Sequence, residues 1–277
     1  MILRQVLMEG TKALRDAGIE GPERDARLLL AEVIGMLAAR MSLEPDLKVS
    51  DAQAKEFHSF LARRVAREPV SRILGRRNFW GRDFEVTPDV LDPRPETETL
   101  IDLCLQGPQP ATLLDLGCGS GIIALTLLAE MKTARGVACD ISDACLAVTK
   151  RNAVSVGVLD RLDLIKSNWF SDISGEFDLI VSNPPYISDA EMTSLSLDVF
   201  NHDPHLALTP GGDGLAPYEA LAKGALKHLS KGGRILVEIG YQQGPDVVRI
   251  FETAGLADVQ CHKDLNGHDR VVSAHQS

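Results

Sequence analysis

The feature that most restricts the fold is an alternation that begins at Thr112. Short apolar runs at 112–116, 136–140, 162–166, 177–182 and 233–239 are interleaved with helical patterns at 122–131, 143–156, 217–229 and 245–254. Such alternation predicts a parallel sheet wrapped by helices. The final runs, 259–263 and 270–275, instead flank the turn-rich 264–269, which predicts a closing antiparallel hairpin.

Upstream the period changes. From residue 2 to about 67 the apolar residues return every three or four positions, as in Val6, Leu7, Ala13, Leu14 and Ala17, and the habit repeats over 26–36 and 52–65. Ser50-Asp51 offers an N-cap to the last of these helices, and Glu68-Pro69 ends it because the residue before proline is pushed out of the α region. In the stretch RRNFWGRDFEVTPDVL, residues 76–91, aromatic and β-branched residues lie on both sides of Gly81-Arg82, which predicts a hairpin turning there. The expected organisation is a helical domain over 1–72, a hairpin linker over 73–92 and an α/β domain over 93–277.

Composition narrows the function. A net charge of −10 argues against affinity built on broad phosphate neutralisation. The five cysteines form no CxxC pair and no cluster with metal-ligand spacing, so neither a metal site nor a disulfide framework is expected. Charges interrupt the apolar residues of the N-terminus, and no uncharged apolar run approaches the ~18 residues of a membrane span. The reading is a reduced, cytoplasmic protein, and nothing in the sequence calls for more than a monomer.

Three stretches carry chemistry. In LLDLGCGSGIIAL, residues 113–125, Gly117, Gly119 and Gly121 sit between the first strand and its helix, where glycine permits positive φ and close approach of a ligand to the backbone. Asp140 ends the second strand about 20 residues on, the place from which a carboxylate accepts hydrogen bonds from a ribose. A plain N-cap is the alternative role for Asp140, one that Ser142 can fill instead. Loop and acid together indicate an adenosine-containing cofactor, without choosing between a nicotinamide dinucleotide and S-adenosylmethionine.

The third stretch, Asn183-Pro184-Pro185-Tyr186 in VSNPPYIS, makes that choice. Each proline fixes its own φ and removes an N–H, so the Asn183 side-chain oxygen and the Pro184 carbonyl become rigid acceptors with few competing donors. Two acceptors suit an NH₂ group, and Tyr186 adds a flat face for a planar conjugated group. A grip on a planar nitrogen beside an adenosine cofactor points to methyl transfer onto that nitrogen.

With DLGCGSG, Asp140 and NPPYI in place, the chain resembles the class I S-adenosylmethionine-dependent methyltransferases that modify planar amide or amine nitrogens. Four further segments, ILGRRNFWGRDFEVTPDVLDPRPETE, NPPYIS, DPHLALTPGGDGLAPY and DLNGHDRVV, resemble in order the release factor glutamine methyltransferases of the PrmC/HemK family. The resemblance implies a Rossmann-like seven-stranded sheet and a small N-terminal helical domain that recognises the substrate, joined by a β-hairpin. It implies N5-methylation of the glutamine in the Gly-Gly-Gln motif of class I peptide chain release factors. By the same resemblance Gly117, Cys118, Gly119, Ser120 and Gly121 cradle the cofactor, Asp140 holds its ribose, Trp169 flanks its adenine and Asn183 also contacts it. Asn183, Pro184, Pro185 and Tyr186 bind the glutamine amide, with Arg94 and Glu96 helping to close the pocket. The chain departs from the pattern at Asp92, where an aliphatic residue is usual, and at Asn266 and His268.

Two rival readings share parts of this set. A nucleic-acid methyltransferase acting on an exocyclic base amine would use NPPY-type acceptors too; the acidic chain speaks against it, and no direct nucleic-acid partner is expected. A nicotinamide oxidoreductase would leave the NPPY turn unexplained. The arginines between Arg63 and Arg82 read as a solvated face.

Overall fold

The computed structural model describes residues 1–276. These divide into two units, Met1–Arg76 with Ser196–His202, and Arg77–Leu195 with the chain from Asp203 onward. The excursion of 196–202 into the first unit has no counterpart in the sequence pattern.

In the first unit, α1 (Leu3–Asp16), α2 (Pro22–Ile34), α3 (Asp51–Val65) and α4 (Val70–Leu74) enclose Leu3, Val6, Leu14, Leu30, Phe57 and Leu61. Gly10 stands inside α1 because a Cβ there would lie 2.5 Å from the Phe57 ring. Ser50 caps α3 as its sequence predicts, its Oγ accepting the Gln53 N–H at 3.2 Å. The excursion is held by the buried Arg64, whose Nε donates to Asp25 at 2.8 Å and whose Nη1 lies 2.8 Å from Asp198. Its neighbours are engaged as well. Arg63 pairs with Glu68, Arg67 donates to the Ala17 and Gly18 carbonyls, and Arg76 pairs with Glu32. The arginine face expected from the sequence is part-solvated and also tied down in this unit: the side chains of Arg63 and Arg76 are 41% and 43% exposed, while Arg63, Arg64, Arg67 and Arg76 each reach a carboxylate or carbonyl brought in by helix packing.

A hairpin follows, β1 (Arg76–Phe79) and β2 (Arg82–Glu85), all of it but Arg76 in the second unit. Its turn is Trp80-Gly81, one residue before the expected Gly81-Arg82, and both turn residues have positive φ, 50° and 72°. That is the geometry a two-residue primed turn requires. The large sheet contains β3 (Thr112–Leu116), β4 (Arg135–Asp140), β5 (Leu162–Lys166), β6 (Phe177–Ser182), β7 (Leu229–Glu238), β8 (Ala257–Lys263) and β9 (Asp269–His275). Their order is β5-β4-β3-β6-β7-β9-β8, parallel through β7 and antiparallel at β9 and β8. This is the expected seven-stranded α/β sheet with its closing hairpin. Strand β7 begins at Leu229 rather than at 233, where Gly232, with φ of 75°, lets the chain bend within it.

Helices α5 (Thr97–Gln106), α6 (Ile122–Glu130) and α7 (Asp143–Val156) cover one face. Three short helices, α8 (Asp189–Met192), α9 (Leu197–His202) and α10 (His205–Leu208), follow β6. Then α11 (Ala216–His228) and α12 (Gly244–Ala254) cover the other face. Residues alternate between the layers: Leu113, Leu179 and Val181 face the first, Leu114, Ile180 and Val237 the second. Burial on both faces explains why these strands read as continuous apolar runs. No helix among the described residues is long and apolar enough to cross a membrane.

Candidate active site

Strand order decides where a ligand can sit. From β3 the chain proceeds to β4 and β5 on one side, whereas β6 lies on the other side of β3 and leads to β7. The crevice at the carboxyl ends of β3 and β6 is therefore a topological switch point, the usual ligand site of an open α/β sheet. Register brings the chemistry to one line. Leu116 is level with Cys139 and Ser182, and Ser182 is level with Val237, so Gly117, Asp140, Asn183 and Glu238 emerge side by side. Ser182 locks the central pair by donating its hydroxyl to the Leu116 carbonyl at 2.7 Å.

A cleft of about 550 Å³ opens along that line. Its wall includes Gly117, Cys118, Gly119, Ser120, Asp140, Trp169, Asn183, Pro185, Arg94 and Thr97. Gly117 and Gly119 have φ of 70° and 55°, and a Cβ on Gly119 would meet nothing within 4 Å, so this backbone faces open space. Asp140 does not cap α7. Ser142 does so, its Oγ accepting the Cys145 N–H at 3.3 Å. Asp140 instead accepts the Gly119 N–H at 3.0 Å and the Ser142 N–H at 2.9 Å, one on each carboxylate oxygen. Each oxygen keeps a further lone pair. Trp169 stands beside Gly117, with its backbone at φ of 51° and its carbonyl accepting the Ser167 hydroxyl at 2.7 Å. Volume, open glycine backbone, carboxylate and indole together fit an adenosine-containing group. Burial pushes the Cys118 thiol well above its ordinary value and that of Cys139 up to about 12, so neither offers a thiolate near neutral pH.

Four residues grouped with this site by sequence lie off the cleft wall. Gly121 is under the loop: a Cβ there would lie 2.7 Å from Thr149 and 2.9 Å from Leu125, so it serves helix packing. Pro184 is buried. Tyr186 packs its ring against the α11 and α12 layer, while its carbonyl accepts Gln243 Nε2 at 2.9 Å. Burial, with the Glu238 carboxyl nearby, pushes its phenol well above the ordinary tyrosine value. Glu96 is the residue that precedes α5.

Sequence reasoning did not assign the residues that brace the turn. Asn183 Nδ2 lies 3.5 Å from Thr97 Oγ1, and the Thr97 hydroxyl donates to Glu238 Oε2 at 2.7 Å. Glu238 is only 1% exposed, and burial raises its carboxyl to about 7. Arg94 donates to the buried Asp203 at 2.5 Å, and Asp203 also accepts the Asp92 N–H at 3.2 Å. Asp92 itself is buried, with a carboxylate oxygen 3.8 Å from the Arg77 guanidinium. Gly214 supports the turn from below, a Cβ there falling 2.2 Å from the Tyr186 carbonyl oxygen. One signal for Glu238 was present in the sequence, an acid ending a buried strand as Asp140 does.

Comparison with known proteins agrees with this architecture. Residues 5–75 match the PrmC N-terminal domain and residues 95–216 the methyltransferase small domain. A release factor glutamine methyltransferase of Cereibacter sphaeroides is 53% identical over 262 residues, covering 94% of each chain. This chain belongs to the release factor glutamine methyltransferase family. A second member, from Agrobacterium fabrum, is 41% identical over 274 residues, 96% of this chain and 95% of the other. A methyltransferase from Pyrococcus furiosus shares the fold at 16% identity and a TM-score of 0.56, over 78% of this chain and 97% of that one. The family's methyltransferase-domain match spans both the glycine loop and the NPPY turn.

Proposed function

We propose that this protein methylates the side-chain nitrogen of the glutamine in the Gly-Gly-Gln motif of class I peptide chain release factors, using S-adenosylmethionine, in support of translation termination. The observation that carries the reading is the NPPY turn at the end of β6, level with the glycine loop of β3, in a chain of this family. The first unit recognises the release factor, and the enzyme works as a cytoplasmic monomer on protein rather than nucleic acid. The net charge of −10 supports that preference.

Gly117 to Ser120, Asp140 and Trp169 would hold the cofactor, with the Asp140 lone pairs accepting from the ribose hydroxyls. When bound, S-adenosylmethionine supplies an electrophilic methyl group on a positively charged sulfur. An amide nitrogen is a weak nucleophile because its lone pair is delocalised, so positioning carries much of the rate. Effective molarity can remove ~7–11 kcal/mol of barrier in favourable cases. Asn183 Oδ1 and the Pro184 backbone carbonyl accept the two N–H groups and orient the nitrogen, Pro185 on the cleft wall flanks its plane, and the Tyr186 ring holds the turn against the second core layer. As the nitrogen gains positive character, its N–H bonds to these acceptors strengthen, which is stabilisation of the transition state rather than uniform binding. The N-protonated amide that results is strongly acidic and loses its proton to water, so no dedicated base is required.

Intact-protein and tandem mass spectrometry of a purified class I release factor after incubation with enzyme and S-adenosylmethionine tests this. One added methyl group on the Gly-Gly-Gln glutamine is expected. Unmodified release factor, with labelled methyl entering structured RNA or DNA in parallel samples, would replace the substrate.

A further inference from the structure

Asn183 can serve as an acceptor only if its amide points the right way, and the side chain alone does not determine that. Its two ends are similar in shape, and rotation by a half-turn exchanges a donor for an acceptor. We infer that Thr97 and Glu238 are positioning residues that set the direction of the Asn183 amide, keeping Oδ1 turned to the substrate nitrogen. The inference rests on the proposed role of Asn183 as an acceptor.

Hydrogen-bond polarity sets the direction. An ionised carboxylate only accepts, so the Thr97 hydroxyl must give its single proton to Glu238 Oε2, 2.7 Å away. Thr97 Oγ1 can then only accept from its other neighbour, the Asn183 side chain at 3.5 Å. The Asn183 NH₂ is thereby drawn toward Thr97 and its oxygen left for the substrate. The separation is long, as catalytic hydrogen bonds often are before substrate closes the site. Thr97 and Glu238 are each 1% exposed, so water does not compete for the bond between them.

Protonating Glu238 reverses the polarity. Its O–H can donate to Thr97, the Thr97 proton becomes available to Asn183 Oδ1, and the acceptor is withdrawn from the substrate. The carboxyl is poised for this by burial, which raises it to about 7, and by an Oε1 with no hydrogen-bond partner. Charged and titratable groups face it from every side. Arg94 and Glu96 precede α5, Arg270 is on β9, Tyr186 follows β6 and Tyr218 is on α11. The two arginines favour the ionised form and Glu96 opposes it. The tyrosines stay neutral, since burial pushes both phenols well above their ordinary range.

The test is methylation of full-length release factor by the full-length enzyme, with kcat, KM and cofactor Kd measured from about pH 6 to about pH 8. The wild type is expected to show kcat rising with pH through a midpoint near 7, the value to which burial raises Glu238. Thr97→Val is expected to lose about tenfold in kcat, the worth of one misdirected hydrogen bond, with KM and cofactor Kd little changed. Thr97→Ser keeps the hydroxyl and should recover most of that loss. Glu238→Gln has no titrating proton and should abolish the pH limb. A kcat for Thr97→Val equal to that of wild type, or a pH limb that is absent from wild type or persists in Glu238→Gln, would overturn the relay. These results leave the substrate reading standing, because wild-type methylation of the glutamine is measured in the same samples.

Discussion

Tyr186 separates two ways in which a side chain can act at this site. Its hydroxyl makes no hydrogen bond among the described residues, whereas its ring packs on the second core layer. Tyr186→Phe is therefore expected to keep kcat within about threefold, below the worth of an ordinary hydrogen bond, and Tyr186→Ala to lose far more. Steady-state kinetics on release factor decides this, and a severe Tyr186→Phe defect would move the role to the hydroxyl. Single residues were legible in the sequence where chemistry and position coincided, as with Asp140 and Asn183 at the ends of apolar runs. Gly121 was misplaced because a glycine that admits Thr149 and Leu125 looks the same, in sequence, as one that admits a ligand. Thr97 and Glu238 escaped because their bond spans 141 positions. No local pattern announces such a contact.

At the scale of elements, the loop between α10 and α11 acts as a buttress for the NPPY turn. Gly214 has φ of 81° and would place a Cβ 2.2 Å from the Tyr186 carbonyl, while Gly212, with φ of 62°, would meet nothing within 4 Å. Gly212→Ala should cost only the ~1–2 kcal/mol of left-handed backbone. Gly214→Ala should lower both the melting temperature and kcat by clearly more. Equal losses in thermal melts and turnover would show that strain alone matters there. Ser50→Ala should cost about 1 kcal/mol of stability in denaturant unfolding, through the loss of its cap. Periodicity revealed the long helices and the sheet, because burial on one stripe or on both faces writes itself into the apolar pattern. The short helices α8 to α10 bury few apolar residues and leave no such trace. The hairpin turn was displaced by one residue because Trp80, a residue that seldom takes positive φ, occupies its first position.

For the whole molecule, two buried carboxyls make stability depend on pH. Burial raises Asp115 and Glu238 to about 7, against ordinary values of 3.8 and 4.5. Between those values and about 7 the folded chain retains protons that the unfolded chain has released, so these groups lower stability as pH rises across that window. Above it the penalty is constant. Asp115→Asn keeps an acceptor for the Ala124 N–H and removes the charge, so its melting temperature should exceed that of wild type at about pH 8, with the gap narrowing toward about pH 5. The segment 196–202 belongs to the first unit although the chain on either side of it belongs to the second, and within the first unit it is held by the pair of buried Arg64 with Asp198. Asn183 grips the nitrogen more strongly during transfer than before it. The direct measurement is the rate of glutamine methylation by Asn183→Ala, followed by tandem mass spectrometry, together with its S-adenosylmethionine Kd by calorimetry. A kcat lower by about 10²–10³ is expected, the scale of losing one preorganised hydrogen-bond partner, with cofactor Kd nearly unchanged. Equal losses in turnover and cofactor binding would contradict it.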